Sequence, residues 1–493
     1  MASRRDMLRT LVAGAAVVST SPFVASKARA IEPPKPKTLV GPDLSDREKI
    51  IHMLNRLSYG PRPGEVDHIL KEEGIASWVK KQLAPDSIED GALEKAVESK
   101  YPWADKTSII DMRKHAPEEG RGDRTYKSVK DVLPSLVLTR AVESNRRFKE
   151  VIVDFWRNHF CIDMGDDQQK SRRWTSGHYE DQVIRKLAFG KFKEMLFASA
   201  RHPAMLEYLD NQLSRKDNWN ENYAREVMEL HTLGADRGYG NDDVRELSKV
   251  LTGWQYNSKF QFEFNAEHHQ PGIKNWLGYK IPAGYEAGEK ALFYLATHKY
   301  TAEFISMKLV RYLVNDNPPA SLVKKVAAVF MESEGDLPKV YAAILNAPEF
   351  YHREHYRAKF KTPFQFIISA LRATNAKIED AHGTCQMLFK MGQPIYMCND
   401  PTGYFDQAES WMDAGVLTSR WDYAWRLVRN GVPGIMIPPA FIERYAKMDE
   451  SKRVQAIADE VVGGDVGERE RKTTGETDRV MSVLLGGPSF QQR

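Results

Sequence analysis

The chain has 493 residues, of which 42% are apolar and ten are tryptophan, so it can bury a large hydrophobic core. Its formal net charge of +4 comes from 71 basic and 67 acidic residues, but residues 1–30 carry five of the basic and one of the acidic side chains. The remaining 463 residues hold 66 charges of each sign. Net charge therefore gives no basis for nucleic-acid binding or for an anionic-membrane patch.

The first 30 residues have the features of a twin-arginine export signal. Two arginines at positions 4 and 5 precede an apolar, small-residue stretch over residues 11–25, and a cleavage motif of small residues ends at Ala30. The stretch is shorter than the roughly 20 apolar residues that a transmembrane helix needs. We therefore expect passage through the twin-arginine translocon, cleavage near Ala30, and a soluble periplasmic or otherwise extracytoplasmic protein without a stable membrane span. An ordinary secretory signal is the alternative interpretation.

The rest of the chain predicts one large helical domain behind a linker. Residues 31–45 are rich in proline and predict the linker, and residues 46–493 predict the domain. Three sub-domains are expected within it, near 46–145, 146–355 and 356–493. Polar stretches at 113–127 and 463–478 lack periodicity and predict exposed loops.

Helical periodicity dominates the domain. Apolar residues recur every three or four positions between Phe148 and His159, and Thr362-Pro363 is a typical helix start. Further helices are predicted at 203–213, 220–233, 243–253, 322–333 and 337–346. The predicted fold is therefore mainly α, a multi-helix globular array.

One segment departs from this pattern, at residues 259–280. Phe260, Phe262 and Phe264 alternate with polar residues before a His-His-Gln-Pro-Gly turn and a second short run. This alternation predicts a small β-hairpin insertion. Such an insertion often carries a binding site, although a hairpin that covers the core is the simpler interpretation.

Three cysteines are too few for a disulfide-stapled scaffold and lack the spacing of a zinc ribbon. Cys385 and Cys398 form the expected pair if a disulfide forms in an oxidising compartment. Cys161 ends an apolar helix pattern and is interpreted as a small buried hydrophobe.

Four segments carry a recognisable pattern. They are Leu-Asn-Arg-Leu-Ser-Tyr-Gly-Pro-Arg-Pro-Gly-Glu (54–65), Phe-Trp-Arg-Asn-His-Phe (155–160), Asn-Glu-Asn-Tyr-Ala-Arg-Glu-Val-Met-Glu-Leu-His-Thr-Leu-Gly (220–234) and Leu-Thr-Gly-Trp (251–254). On these segments the chain resembles the bacterial family called domain of unknown function 1800, from about residue 45 to the C-terminus. The segment 220–234 is long and specific.

The resemblance implies a large, helical, exported protein. It also implies a partner, because members of the family are frequently encoded beside a sulfatase-like or phosphatase-like exported protein of another uncharacterised family. In one place the chain departs from the family, which usually has His-Asp after its first loop histidine. The chain has His268-His269-Gln270 there, so no role for that aspartate is carried over.

The segment 220–233 places a set of polar side chains on one helical face, with Asn220 as the expected cap. Arg225, Glu226 and Glu229 share that face with Asn222. Two carboxylates beside an arginine can act as metal ligands or as general acid and base. An ion-paired face packed on a neighbouring helix is the simpler alternative, because such spacings are abundant in ordinary helices.

Histidines supply the other candidate ligands. His159 and His231 lie on apolar helical stripes, and His269 lies in the predicted turn, five residues before Lys274. With Glu226 these three histidines contain the residue types of a helix-bundle metal site for a divalent or transition metal. Buried, hydrogen-bonded core histidines are the alternative, because no His-Glu-x-x-His or Glu-x-x-His pair occurs there.

Two functional hypotheses follow. In the first, the protein is a metal-dependent hydrolase or oxidoreductase in which Glu226, Glu229, His159 and His269 approach one pocket, and Lys274 or Arg225 binds an anionic group. Export of folded cargo favours this hypothesis, because cofactors can be inserted before export. In the second, the protein is a non-catalytic partner or maturation factor for the sulfatase-like protein.

Overall fold

A computed structural model describes residues 43–101, 108–115, 129–165 and 170–493. The predicted signal peptide, nearly all of the predicted linker and most of the polar stretch 113–127 lie outside these residues. The structure is 61% helical, and its sheets are small two-stranded antiparallel pairs. The prediction of a mainly α fold is therefore confirmed. Residues from Pro42 to Arg493 form one unit.

The first helices begin at a capping box. The Ser45 hydroxyl accepts a hydrogen bond from the Glu48 backbone N–H, and the Glu48 carboxylate accepts one from the Ser45 N–H. These two bonds satisfy amide groups that a helix start would otherwise leave unpaired. The helices that follow are α1 (Asp46–Leu57), α2 (Glu65–His68), α3 (Ile75–Gln82), α4 (Gly91–Lys100), α5 (Ile109–His115) and α6 (Val129–Glu143).

The next group of helices includes the predicted apolar helix that ends at His159. The group consists of α7 (Arg147–His159), α8 (Lys170–Tyr179), α9 (Phe192–Arg201), α10 (Pro203–Tyr208), α11 (Asn222–Glu229) and α12 (Asn241–Val250). In α7 the apolar stripe is buried, and the Trp156 indole N–H donates to the Tyr341 hydroxyl at 2.7 Å. A buried indole that finds a hydrogen-bond partner fixes the orientation of this helix.

Helix α11 is shorter than the predicted helix 220–233. It ends at Glu229, and Glu221 rather than Asn220 is its N-cap residue. Beyond Glu229 the hydrogen bonds span more residues than in an α-helix. The His231 N–H donates to the Glu226 carbonyl, and the Gly234 N–H donates to the Met228 carbonyl. Gly234 has a φ of 90°, a conformation that glycine adopts without strain.

Two hairpins replace the single predicted one. Strand β1 (Trp254–Tyr256) pairs with β2 (Phe262–Phe264), and β3 (Lys274–Trp276) pairs with β4 (Tyr279–Ile281). The phenylalanine strand thus pairs with the chain that precedes it, because Trp254 is fully buried and its ring meets the Phe262 ring edge-on. The prediction missed this pairing since the strand β1 directly follows a helical pattern.

Four helices follow the hairpins, and eight more complete the chain. The first four are α13 (Tyr285–Thr297), α14 (Lys299–Leu313), α15 (Ala320–Glu332) and α16 (Leu337–Leu345). The last eight are α17 (Pro363–Ala373), α18 (His382–Lys390), α19 (Ala414–Val428), α20 (Pro439–Ala446), α21 (Glu450–Ile457), α22 (Glu468–Arg471), α23 (Thr477–Gly486) and α24 (Pro488–Gln491). A third strand pair joins β5 (Lys377–Ile378) to β6 (Ile435–Met436).

Helix α17 lies in the centre of the core. Every one of its residues is buried, and Thr362 caps it with Gln365 in the predicted helix start. Around it, α14 packs on α15, and α19 packs on α23. The polar stretch 463–478 is not wholly a loop, because α22 forms within it and α23 begins there. The N-terminus of α17 faces the candidate site described below.

Candidate functional site

A cavity of about 310 Å³ lies beside the C-terminal half of α7. Its walls are α7, α14, the start of α17 and the loop 393–407. Most of the lining is apolar and aromatic: Phe155, Phe304, Phe364, Ile395, Tyr396 and Phe405. The Phe405 side chain is 61% exposed, so the cavity reaches the protein surface there. An apolar cavity with a few polar groups is the usual form of a small-molecule site, although this one is near the small end of the range.

His159 and Lys308 meet on the cavity wall. The Lys308 Nζ atom lies 3.0 Å from His159 Nδ1, and His159 Nε2 lies 3.2 Å from the His231 carbonyl oxygen. A carbonyl only accepts, so Nε2 carries the imidazole proton and Nδ1 accepts from the Lys308 amino group. This arrangement holds His159 as one neutral tautomer that orients the lysine.

The surroundings shift the pKa of both groups. Burial lowers the pKa of His159 well below its usual value, and the charge of Lys308 lowers it further. Burial also lowers the pKa of Lys308 to about 8, and the neighbouring Arg311 guanidinium acts in the same direction. Lys308 can therefore exchange its proton near physiological pH, which an exposed lysine does not do.

Arg157 also lines the cavity, and its positive charge is balanced by two carboxylates. Its guanidinium contacts the two carboxylate oxygens of Glu180 at 3.1 Å each and Asp154 at 3.1 Å. Burial by itself would raise the pKa of Glu180, but Arg157 brings it below the usual value. The pKa of Asp154 stays raised because burial dominates there. This network stabilises the wall and leaves Arg157 no free charge for a ligand.

A second ion cluster borders the cavity at Asp406. Its carboxylate lies 3.2 Å from the buried Lys359 ammonium, which also contacts Asp316. Burial lowers the pKa of Lys359, although the two carboxylates oppose the shift. Asp406 thus forms its ion pair with Lys359, while its charge also acts on Lys308 and opposes part of the lowering of the Lys308 pKa.

The loop over the cavity is clamped to α7 by Asn158. The Asn158 side-chain amide donates to the Tyr404 carbonyl at 2.8 Å, and its oxygen accepts from the Tyr404 N–H at 2.7 Å. Gly403 has a φ of 73°, and a Cβ there would collide with the Asn158 backbone carbonyl. Glycine is required at this position, and the clamp sets the position of the loop.

The cysteines are arranged differently from the expected pair. Within the described residues no disulfide joins any two of them, and the neighbour of Cys398 is Cys161. Cys161 Sγ lies 3.8 Å from the Cys398 carbonyl, and both residues line the cavity. The Cys161 thiol donates to the Cys398 sulfur, which lowers the pKa of Cys398 and raises that of Cys161. The cysteine beside Cys398 is thus Cys161, whereas sequence proximity had suggested Cys385.

Two of the four candidate metal ligands come together. The His159 and His231 ring centroids are 6.0 Å apart, but only His159 lines the cavity. Burial lowers the pKa of His231 to about 3, and both of its ring nitrogens are buried without a hydrogen-bond partner. His231 is therefore a neutral core side chain that supports His159 through its backbone carbonyl.

The carboxylates of α11 lie outside the cavity lining. Burial raises the pKa of Glu226, and the neighbouring Glu229 charge adds to the shift. Arg225 is engaged by Glu221 at 3.1 Å and by Asn241 at 3.2 Å. The two glutamates are close neighbours, as predicted, while Arg225 is held by Glu221 one turn earlier and by Asn241 at the start of α12.

His269 and Lys274 form a separate cluster at the hairpins. One His269 ring nitrogen contacts the Thr252 carbonyl at 2.9 Å, and the other accepts from the Gly284 N–H at 2.9 Å. The Lys274 amino group lies 3.3 Å from His269 and also donates to the Gln270 carbonyl. Both ring nitrogens of His269 thus hold the hairpin to α13.

No metal centre is formed by the predicted ligands. Among the residues that the structure describes, no group of three or more histidine, cysteine, aspartate or glutamate side chains is placed to hold a metal ion. His159 lines the cavity, His231 is buried behind it, His269 lies at the hairpins, and Glu226 is not part of the cavity lining.

Sequence analysis missed Lys308 and Arg311. Both lie on α14, and the cavity that they line is completed by α7 and by a loop almost 90 residues further along. One signal was available: Phe304, Lys308 and Arg311 recur at helical spacing on one face. This spacing alone gives no reason to single out the face, because two cations beside a phenylalanine are common on solvated helix surfaces.

The comparisons with known proteins support the resemblance found in the sequence. The model of the family described as "Protein of unknown function (DUF1800)" matches residues 52–492. The chain belongs to this family. The DUF1800 match spans all the cavity walls, and neither a curated protein nor a solved structure matches the chain. Within the described residues, no helix combines the length and apolar character needed to cross a bilayer.

Proposed function

We propose that this DUF1800 protein is a hydrolase whose active site is the cavity between α7 and α14, with Lys308 as the general base. One observation carries the proposal: the Lys308 amino group lines the cavity and lies 3.0 Å from His159 Nδ1. A base with a pKa near the working pH is what proton-transfer catalysis requires.

The lowered pKa of Lys308 decides how much base is present. At a pKa of about 8, about a tenth of the amino groups are neutral at neutral pH, whereas an unperturbed lysine would supply less than about a thousandth. The neutral amine takes a proton from a water molecule as the water oxygen bonds to the carbonyl carbon or phosphorus of the substrate. The bond from that atom to the alcohol or amine leaving group then breaks, and the Lys308 ammonium returns the proton to the leaving group. His159 is a positioning residue in this scheme, since its Nδ1 lone pair holds the Lys308 amino group in place.

The sequence-based hypothesis named a metal-dependent hydrolase or oxidoreductase around His159 and Glu226. We retain the hydrolase class and the location at His159, but base the chemistry on Lys308. The described residues supply no group of three potential ligands, and Glu226 does not line the cavity.

Hydrolysis of a panel of small esters, amides and phosphate esters by the purified mature protein tests the proposal. We expect the activity to rise with pH through an apparent pKa near 8. It should be lost in Lys308→Gln and kept in Lys299→Gln, which removes an exposed cation from the same helix. Full activity in Lys308→Gln would contradict the proposal.

We also propose export through the twin-arginine route, on the basis of the arginine pair at positions 4 and 5 and the small-residue site at Ala30. Wild-type protein in the periplasm should begin at residue 31 by intact mass. Replacement of both arginines by lysine should leave the full-length precursor in the cytoplasm. Processing that continues in this variant would favour the ordinary secretory route.

A role as partner of a sulfatase-like exported protein is the second candidate. It is favoured by Trp421 and Trp425, which are 42% and 49% exposed one turn apart on α19. Exposed large apolar side chains at this spacing are typical of interaction sites. Co-purification of the sulfatase-like protein from periplasm, lost in Trp425→Ser and kept in Lys308→Gln, would favour this role over catalysis.

A further inference from the structure

The charges around the cavity divide into compensated and uncompensated groups. Arg157 is paired with Glu180 and Asp154, and Asp406 is paired with Lys359. Lys308 and Arg311 are the two cations of the cavity lining that belong to the uncompensated group. Within the described part of the chain, neither forms an ion pair, and Lys308 has the neutral His159 as its hydrogen-bond partner.

Arg311 is the more informative of the two. Its Nε atom is buried and has no hydrogen-bond partner, and the described residues offer none to the rest of its guanidinium. Buried polar atoms without a partner are uncommon, and a charged one costs more than a neutral one. Arg311 lines the cavity, so a molecule in the cavity can supply the missing acceptor.

The two cations act together. Lys308 and Arg311 are three positions apart on α14, which places them on the same helical face, and each lowers the cost of binding an anion at the other. A guanidinium matches the two oxygens of a carboxylate or phosphate, and the ammonium adds a third donor. The pair therefore has the composition of an oxyanion site.

The apolar part of the cavity indicates the size and polarity of the molecule that can bind there. Phe155, Phe304, Phe364 and Ile395 provide an apolar, largely aromatic wall, and the volume of about 310 Å³ suits a small molecule. We propose that Arg311 and the ammonium form of Lys308, which arises when the base takes up its proton, bind the oxyanion group, carboxylate or phosphate, that hydrolysis produces on a small amphipathic molecule whose apolar or aromatic body packs against these side chains.

This inference rests on the proposed function only for the origin of the anion as a product of hydrolysis, since binding can be measured without turnover. The probes are benzoate, phenyl phosphate and the uncharged isostere benzamide, and the measurement is calorimetric titration of the mature protein. We expect benzoate, phenyl phosphate or both to bind, and benzamide to bind at least tenfold more weakly than the better anion. Preference between the two anions distinguishes a carboxylate from a phosphate ligand.

Arg311→Gln should weaken binding of the preferred anion by roughly tenfold to a hundredfold, as expected for a charge-assisted hydrogen bond. The matched control Lys299→Gln should bind like the wild type. Binding to the wild type should also weaken as the pH rises above about 8, because Lys308 then loses its positive charge.

The thermal stability of the unliganded variant gives a second readout. Loss of an uncompensated half-buried cation should leave Arg311→Gln at least as stable as the wild type, whereas loss of a structural ion pair would lower its melting temperature. Absence of anion binding by the wild type, equal binding of benzamide, or unchanged binding in Arg311→Gln would overturn the inference. Anion binding without any Lys308-dependent hydrolysis would refute the proposed function and leave the oxyanion site intact.

Discussion

Arg157 and Lys308, two cationic side chains on the cavity wall, differ in the direction of their pKa shifts because their partners differ. Arg157 is held by two carboxylates, and this pairing raises its own pKa above the usual value against the effect of burial. Lys308 has a neutral imidazole as its hydrogen-bond partner, and the charge of Asp406 opposes the effect of burial only in part, so the pKa falls to about 8. The same cavity thus contains one structural cation and one reactive cation, and neighbouring residues decide which is which.

The Lys308→Met variant should be stabilised in a pH-dependent way. Above a folded-state pKa of about 8 and below the unfolded value of 10.5, the unfolded chain binds more protons at this site than the folded chain. The unfavourable contribution of Lys308 is therefore complete below about pH 8 and disappears as the pH rises to the unfolded value. The gain of Lys308→Met over wild type in urea unfolding should be largest near neutral pH. A gain that grows with pH would contradict this sign.

Cys161 and Cys398 should be the pair that is oxidised first. Treatment of the native protein with diamide, a two-electron oxidant that takes up both thiol hydrogens, should join these sulfurs in one disulfide. Peptide mapping by mass spectrometry should find Cys385 outside this disulfide, because Cys161 is the residue next to Cys398. The Cys161→Ser variant is the control and should form no intramolecular disulfide. A Cys385–Cys398 crosslink in the folded protein would show that the arrangement at the cavity is wrong.

At the scale of the element, the loop 393–407 depends on one contact with α7. Asn158 clamps the Tyr404 backbone, and Gly403 allows the loop to approach the helix closely. Neither residue takes part in the proposed hydrolysis, yet both set the position of the loop that carries Tyr396, Cys398 and Asp406.

Gly403→Ala should destabilise the protein by more than its matched control Gly392→Ala. Both glycines have positive φ, at 73° and 81°, but nothing lies within 4 Å of a Cβ at Gly392. The control therefore measures backbone strain alone, about 1 kcal/mol. Gly403→Ala adds a collision with the Asn158 carbonyl, so a cost above about 2 kcal/mol is expected in urea unfolding. Equal costs would show that the loop approaches α7 less closely.

The helices could be predicted from the sequence because their signals are local. The apolar stripe that ends at His159 and the capping box at Thr362 both occupy the expected positions. The end of α11 could not be predicted, since it is set by backbone bonds from His231 and Gly234 that reach back beyond one helical turn. The strand pairing at Trp254 depended on burial of that indole, which no periodicity shows.

At the scale of the whole molecule, the site is assembled from segments far apart in sequence. The cavity unites α7, α14, the start of α17 and the loop 393–407. His159 could be singled out from its own helix, but its partner Lys308 is 149 residues away. The predicted metal set failed to converge for the same reason, because residue types in separate segments carry no information on distance.

Family membership extends over nearly all of these segments, since the match covers residues 52–492. The balance of acidic and basic residues is likewise a property of the whole molecule. The 66 acidic and 66 basic side chains beyond residue 30 cancel as a whole, while Lys308 and Arg311 in one cavity form no ion pair with any carboxylate that the structure describes. A local excess of charge inside a neutral protein is a more specific indication of function than net charge.

The most direct test of the account is the pKa of the Lys308 amino group, measured by NMR on protein with isotopically labelled lysine and assigned with Lys308→Gln. We predict a value near 8 in the unliganded protein and a rise when benzoate or phenyl phosphate binds, because an anion stabilises the ammonium form. A value near 10.5 that neither anion changes would contradict both the acid–base role of Lys308 and its place in an oxyanion site.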